Sequence, residues 1–313
     1  MSGYCIIFML HRIAPYDATA LPANENMNVT PEYLSEFIEK TKKDGWTYLS
    51  IDEMYYRIKK HKKFYKSIVL TADDGYRDNL IYGEEVVRSY DVPMCVYITT
   101  SFPDMTSKLW WYALEDAILM DNARGEKLLD SEKNILNHQF IQLRKIFMSE
   151  HYNDSESFFL KKFPDFELDW SKYRLKYCMD WDELSVFARN PLITIGAHTQ
   201  NHIALSMLSY EDAVNEIAVS KDRLESKIKL PVEHFSYPFG DREDSDSREY
   251  LMVKNLGFKT GTTTKAGLIY SYMSGDEFSL PRIMLRSASE IKNYSSIRFI
   301  AKDIVKKVLY WDR

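Results

Sequence analysis

Cysteine is scarce in this chain: Cys5, Cys95 and Cys178 are the only three among 313 residues. They are odd in number, widely scattered, and form no Cys-x-x-Cys pair, so neither a disulfide framework nor a thiolate zinc site is indicated. That favours a reducing compartment, and the protein is expected in the cytoplasm. No hydrophobic run approaches the roughly 20 residues that span a bilayer. The apolar stretch from Cys5 to Leu10 lacks a basic lead-in, is too short for a signal-peptide core, and runs directly into His11 and Arg12. It reads as a first buried strand. Basic residues are not in excess: 41 Lys and Arg stand against 46 Asp and Glu, a net charge of −5. Nucleic acid is therefore not an expected partner. No repeat of fixed period and no low-complexity tract occurs, and no histidine follows His234.

Hydrophobic residues make up 45% and charged residues 28%, which supports a packed core and excludes wholesale disorder. The length suits one large α/β barrel or two ordinary domains. Short apolar runs alternate with helical patterns, the signature of a parallel sheet or barrel. Strands are predicted at Cys5–Leu10, Trp46–Leu49, Ser67–Leu70, Met94–Ile98, Ile193–Ile195 and His234–Ser236. Helices are predicted after Thr30-Pro31, from Ile51, over Asn79–Tyr90 and after Ser209, where Asp212 takes the position of a capping-box acid. Between Trp110 and Asn190 the strand rhythm stops and aromatic-rich helical sequence takes over, an inserted helical subdomain.

Three polar clusters fall immediately after predicted strands, and the carboxyl ends of barrel strands build active sites. Asp73-Asp74-Gly75 puts two carboxylates on one turn, so that one can bind a metal while its neighbour faces substrate. Alone, such a triplet is more often an ordinary turn. His198 and His202, four apart on what reads as one helical turn, can reach a single ion. With an aspartate from a distant strand end they complete a His, His, Asp set that leaves coordination positions open, as catalytic zinc requires. In Ser236-Tyr237-Pro238-Phe239-Gly240, proline fixes the backbone and glycine frees it, so the loop can aim a backbone N–H into a cleft and stabilise an oxyanion.

These motifs resemble the polysaccharide deacetylase family, also called the NodB-homology family or carbohydrate esterase family four. Thr71-Ala72-Asp73-Asp74-Gly75 resembles its Thr-Phe-Asp-Asp-Gly motif, His198-Thr199-Gln200-Asn201-His202 its His-Thr-x-x-His motif, and Tyr237-Pro238-Phe239-Gly240 its oxyanion loop. Met9-Leu10-His11-Arg12-Ile13, Trp110-Trp111 and Leu280-Pro281-Arg282-Ile283 resemble a branch found in bacterial surface-sugar gene sets. The resemblance implies a distorted (β/α)7 barrel as a single domain over 1–313, interrupted by the helical insertion at 110–190. It implies one divalent metal ion, Zn2+ foremost, held by Asp74, His198 and His202. It makes Asp73 the base that activates water and the Phe239 N–H an oxyanion donor. The implied reaction is hydrolysis of an N-acetyl group from an amino sugar of a surface polysaccharide or its nucleotide- or lipid-linked precursor. O-deacetylation or deformylation on the same centre, or a degenerate barrel that binds glycan without turnover, are the alternatives.

The departures from the family pattern are specific. Phenylalanine of the first motif is Ala72, expected to open space beside the aspartates. The arginine that normally precedes the proline-aromatic loop and braces the catalytic aspartate is Ser236. The late Leu-x-x-His motif that supplies the general acid is missing. Arg282 is the candidate to pair with Asp73 and keep it ionised; His11, at the end of the first strand, is the candidate proton donor. Three weaker signals remain. The run from Arg57 to Lys66 reads as a solvated loop first and as an attractor for a phosphate-bearing carrier or an anionic membrane second. The segment from Ile297 to Arg313 reads as a basic amphipathic helix that either docks on the core or touches a membrane surface. Trp110, Trp111 and Tyr112 read as core first and as a sugar platform second.

Overall fold

The computed structural model describes residues 3–123, 128–151, 154–241 and 243–285. The C-terminal amphipathic segment from Ile297 lies outside the described residues. Strand β1 (Cys5–Leu10) is wholly buried and leads into β2 (Arg12–Ile13), which pairs with β3 (Asn28–Val29) across helix α1 (Pro22–Glu25). Thr30 caps α2 (Pro31–Lys43): its side chain accepts from the Tyr33 N–H, and Pro31 occupies the first helical position. Leu34, Phe37 and Ile38 form the buried face. After β4 (Thr47–Tyr48), Ser50 caps α3 (Ile51–Lys59). Strand β5 (Ser67–Ala72) runs two residues further than its apolar run suggested, carrying the chain directly to Asp73.

The predicted helix over Asn79–Tyr90 is two pieces, a π-helical turn over Asn79–Gly83 and α4 (Glu84–Tyr90). Among the described residues, strand β6 (Met94–Ile98) is followed before the sheet resumes by α5 (Trp110–Ala123), α6 (Asp130–Ile146), a π-helical turn over Phe147–His151, α7 (Ser155–Lys162), α8 (Trp170–Tyr177) and α9 (Trp181–Phe187). Their aromatic side chains build a cluster of their own around Phe140, Phe147, Phe158 and Phe159. The sheet continues with β7 (Ile193–Ala197), α10 (Tyr210–Ile228), β8 (His234–Ser236), α11 (Ser247–Asn255), β9 (Thr260–Thr262) and β10 (Ile283–Met284). Ser209 caps α10 by accepting from the Asp212 N–H, as the sequence indicated.

All ladder pairs are parallel, in the order β10-β1-β5-β6-β7-β8-β9, with β4 added beside β5. The ring closes where Thr262 bridges Leu280, just before β10 returns to β1. The seam is a run of main-chain bonds: Gly261 N–H to Glu277 O at 2.8 Å, Leu280 N–H to Gly261 O at 2.9 Å, and Thr263 N–H to Leu280 O at 2.9 Å. The fold is thus an α/β, distorted seven-strand barrel of the NodB type. Strand alternation divides its core. Ile6, Phe8, Leu10, Ile68, Leu70 and Ala72 join the layer that packs on α2, whereas Ile7, Val69, Cys95, Tyr97 and Leu280 join the cluster that includes Ile51, Met54 and Ile58 of α3. Ala72 therefore faces the helix layer. The space expected beside the aspartates does not arise there, because the side chain alternates away from Thr71 and Asp73. All three cysteines are free and buried. Among the described residues no helix is long and apolar enough to cross a membrane.

Candidate active site and metal centre

Every sequence-predicted site residue converges on one cleft of about 750 Å³. His11, Asp73, Asp74, His198, His202, Phe239 and Arg282 all line it, although they come from the ends of five strands spread over the chain. One carboxylate oxygen of Asp74 lies 3.4 Å from His198 Nε2 and 3.2 Å from His202 Nε2, and the three donor atoms lie within 4.8 Å of one another.

The chemistry of this set fits a cation. His198 Nδ1 is 2.7 Å from the Ser236 carbonyl oxygen, which can only accept, so Nδ1 carries a proton and Nε2 faces Asp74. Asp74 Oδ1 is buried without a hydrogen-bond partner among the described residues. Acceptors this close demand positive charge between them, supplied either by protons on the imidazoles or by a shared metal ion. Burial raises the Asp74 carboxyl, but the neighbouring His202 and His198 outweigh it and hold the group well below its ordinary range. Burial lowers His198, and here the two aspartates win and raise it.

The loop carrying the two histidines is not the helical turn that their spacing suggested. Thr199 and His202 both adopt left-handed backbone, with φ of 62° and 58°, and two such residues within four break a helix. Thr199 Oγ1 accepts from the His202 N–H at 3.1 Å. Glu216 of α10, nearly buried, accepts from the Asn201 N–H at 2.9 Å and from its side-chain amide at 2.6 Å. Left-handed φ also occurs at Asp74 (74°) and Phe239 (62°), so four non-glycine residues in a costly conformation gather at one site. Such strain persists only where the surroundings enforce it.

Asp73 is gripped by Arg282. The guanidinium donates Nη1 to Oδ1 and Nη2 to Oδ2, both at 2.7 Å, with Arg282 wholly buried. Its remaining donors reach Thr71 Oγ1 at 3.2 Å, Ser236 Oγ at 2.9 Å and Thr263 O at 3.0 Å. All five N–H groups are used, which is how an arginine can be buried at all. Burial raises the Asp73 carboxyl, and the charge of Arg282 more than reverses it. The arginine lost at Ser236 is thus supplied from β10's side of the seam, and Ser236 contributes its hydroxyl to the same network. Sequence reasoning noted Ser236 as a loss only; its double role on Arg282 and His198, and the anchoring by Glu216, had no signal in spacing.

Phe239 sits in a γ-turn of positive φ, closed by Gly240 N–H to Pro238 O at 2.7 Å. Because the peptide is planar and trans, fixing the Pro238 carbonyl toward Gly240 turns the Phe239 N–H the opposite way. Thr264 Oγ1 holds the far side by donating to the Phe239 carbonyl at 2.8 Å. His11 is placed by Asn79, whose amide donates to the His11 carbonyl at 2.9 Å, and by the neighbouring Arg12–Asp78 ion pair at 2.8 Å. Its Nδ1 is buried with no hydrogen-bond partner among the described residues. Burial lowers its pKa, partly offset by Asp74 and Asp73. His234 is directed elsewhere, to Thr260 and Asp52.

Trp110 and Tyr112 pack as core, stacked on Phe147 and Tyr177, while also bordering the cleft. Trp111 stands against His202 with ring centres 5.8 Å apart. Within the basic run, Arg57 pairs with Glu53, Lys59 with the distant Glu277, and Lys66 donates to the Asp44 carbonyl.

A barrel with an Asp–Asp turn, a paired-histidine loop and a proline-aromatic turn at its strand ends is the arrangement that the comparisons with known proteins return. Residues 60–261 match the profile of the polysaccharide deacetylase family, and the chain belongs to that family. Among solved structures it resembles the Streptococcus pyogenes deacetylase PplD in complex with acetate, at 17% identity over 95% of this chain and 100% of that one, with a TM-score of 0.63. IcaB from Ammonifex degensii shows 12% identity over 94% and 96%, with a TM-score of 0.61. The BpsB deacetylase domain from Bordetella bronchiseptica shows 13% identity over 90% and 96%, with a TM-score of 0.56. No curated protein matches the chain.

Proposed function

We propose that the protein is a metal-dependent N-deacetylase that removes acetyl groups from an amino sugar of a bacterial surface polysaccharide or its nucleotide- or lipid-linked precursor. The observation that carries this reading is the pair of centres in one cleft: an Asp74–His198–His202 acceptor set beside an Asp73 held by Arg282. Asp74, His198 and His202 would hold one divalent ion, Zn2+ foremost, which supplies Lewis acidity at the acetamide carbonyl and lowers the pKa of water toward ~7. Asp73, kept ionised by Arg282, accepts the proton of the attacking water. The Phe239 N–H donates to the oxygen on which negative charge develops. His11 passes a proton to the departing amine, which is too basic to leave as an anion. The products are free acetate and the amino sugar. The three buried, unpaired cysteines support a cytoplasmic location.

The test has two arms. Acetate release is measured over nucleotide-linked, lipid-linked and polymeric N-acetyl sugars, with O-acetylated and N-formylated counterparts beside them. Turnover of only the latter would move the reading to esterase or deformylase, and binding without any turnover to a lectin-like barrel. Metal is counted in parallel by elemental analysis: wild type should carry one divalent ion per chain and folded His198→Ala well below that. Full metal content in His198→Ala would overturn the ligand set.

A further inference from the structure

The basic run between α3 and β5 takes no part in the catalytic cleft. It lies at the other end of the barrel. Asp73 follows the carboxyl end of β5, whereas residues 60–66 precede its amino end, a six-residue strand or roughly 20 Å away. The main chain of this loop is fixed. Lys60 N–H donates to Tyr56 O at 2.9 Å, Lys62 N–H to Arg57 O at 2.8 Å, and Arg57 Nη1 to Lys63 O at 3.2 Å. Phe64 is wholly buried, and His61 Nδ1 donates to the Ser271 carbonyl oxygen at 3.2 Å, joining the loop to the residue before Tyr272. The charges are not fixed in the same way. Glu53 and Glu277 are taken by Arg57 and Lys59. Lys60, Lys62 and Lys63 are exposed, and among the described residues they form no ion pair.

The dipole of α3 accounts for cations in its last turn, which are Arg57 and Lys59. Lys62 and Lys63 lie past that turn, where like charges on an ordered loop repel one another until an anion joins them. Three tyrosines stand beside them: Tyr56, Tyr65 and Tyr272 are 41%, 72% and 44% exposed. The Lys62 ammonium is 4.5 Å from the centre of the Tyr56 ring. Amphipathic rings of this kind favour the headgroup level of a bilayer. The cation type narrows the partner further. Lysines are compact charges on flexible stems and suit a fluid layer of headgroups, whereas reading phosphates in a fixed register calls for arginine forks. The run's one arginine is held by Glu53 and the Lys63 carbonyl. The geometry points to this loop as a docking surface for an anionic lipid bilayer, with Lys60, Lys62 and Lys63 meeting the headgroups and Tyr56, Tyr65 and Tyr272 beside them. The cleft then opens away from the bilayer, so docking and catalysis are separate properties of the chain.

The experiment sediments the full chain with vesicles of phosphatidylcholine alone and of phosphatidylcholine mixed with phosphatidylglycerol. Wild type should pellet with the anionic vesicles only, and added salt should release it, because screening shortens the reach of surface charge. A lysine close to an anionic surface contributes about fivefold in partitioning. Lys60→Gln, Lys62→Gln and Lys63→Gln combined should therefore lower binding at least tenfold, while arginine at the same three positions retains it. Lys62→Gln alone, with an expected loss of about fivefold, decides the matter where the triple variant misfolds. No pelleting, equal pelleting with neutral vesicles, or wild-type binding by the folded glutamine variants overturns the docking surface. Loop-dependent capture of a single-stranded RNA without vesicle binding overturns the lipid assignment. Acetate release in solution separates this inference from the deacetylase reading: lysine-dependent vesicle binding with no acetate sinks the deacetylase alone, and acetate released by a chain that ignores vesicles sinks the docking surface alone.

Discussion

At the scale of single residues, Asp73 and Arg282 set the conditions for a base. Burial of a carboxylate only 2% exposed favours its protonated form, and the two-pronged guanidinium at 2.7 Å more than offsets that. Arg282→Lys keeps a charge but loses the fork, so Asp73 is less well stabilised as an anion and its pKa rises. A base must be ionised, so activity is lost as pH falls through that pKa, and raising it moves the acidic limb to higher pH. The expected outcome is a kcat reduced roughly 10²-fold at neutral pH with the acidic limb displaced upward; a limb that stays in place in the folded variant would remove Arg282 from the proposed mechanism. His11 makes a different demand. Because burial lowers its pKa, a role as proton donor confines its useful form to the acidic side of the ordinary histidine value. His11→Ala should reduce acetamide turnover far more than turnover of an activated ester, whose leaving group needs no proton. Equal losses would assign His11 to structure or binding.

At the scale of elements, the inserted helices and the barrel are joined by a buried acid. Glu115 of α5 accepts from the Leu21 N–H and, at 2.8 Å, from the Asn24 amide, tying α1 to the wall that carries Trp111. Asn24 also reaches the Trp111 carbonyl at 3.2 Å and borders the cleft. Burial raises the Glu115 carboxyl from 4.5 to about 7. The folded chain therefore binds a proton more tightly than the unfolded one. Stability is greatest below about 4.5, where both forms are protonated, and falls as pH rises toward 7. The linkage corresponds to about 3 kcal/mol across that window. Glu115→Gln keeps an acceptor without the charge, so denaturant unfolding followed from pH 5 to 8 should lose this slope, and the variant should match or exceed wild type at pH 8. An unchanged slope would show that the carboxylate is not desolvated.

For the whole molecule, the decisive feature is ring closure. The barrel is completed only when the segment around Leu280 lies against β9, and that segment delivers Arg282 to Asp73. Gly261 is the close approach on which this depends: a Cβ there would meet the Phe278 carbonyl oxygen at 2.8 Å and the Tyr237 hydroxyl at 2.6 Å. Gly261→Ala should push the seam apart, cost about 1–3 kcal/mol in unfolding experiments, and lower turnover as well, since Arg282 moves with the seam. Phe37→Ala, on the buried face of α2 and away from the cleft, should cost about 3–5 kcal/mol and leave the turnover of the folded fraction near wild type. Equal turnover for both variants would show that closure does not position the site.

Much of this was legible in sequence, because each legible feature is local. The apolar run at Cys5–Leu10, the Thr30–Pro31 and Ser209 helix starts, and the Asp73-Asp74-Gly75 and His198…His202 motifs are statements about neighbours in the chain. Polar residues at the ends of buried strands then point to one face of a parallel sheet. Tertiary structure decided what depends on distance. It placed Arg282 against Asp73, 209 positions away, put Ser236 on both Arg282 and His198, and drew the His198–His202 loop out of helical form onto Glu216. It also turned Ala72 toward the helix layer and hollowed a polar pocket between the insert and the histidine loop. Periodicity and capping record what a segment does with its own backbone, whereas a buried ion pair exists only once distant segments have excluded water around it.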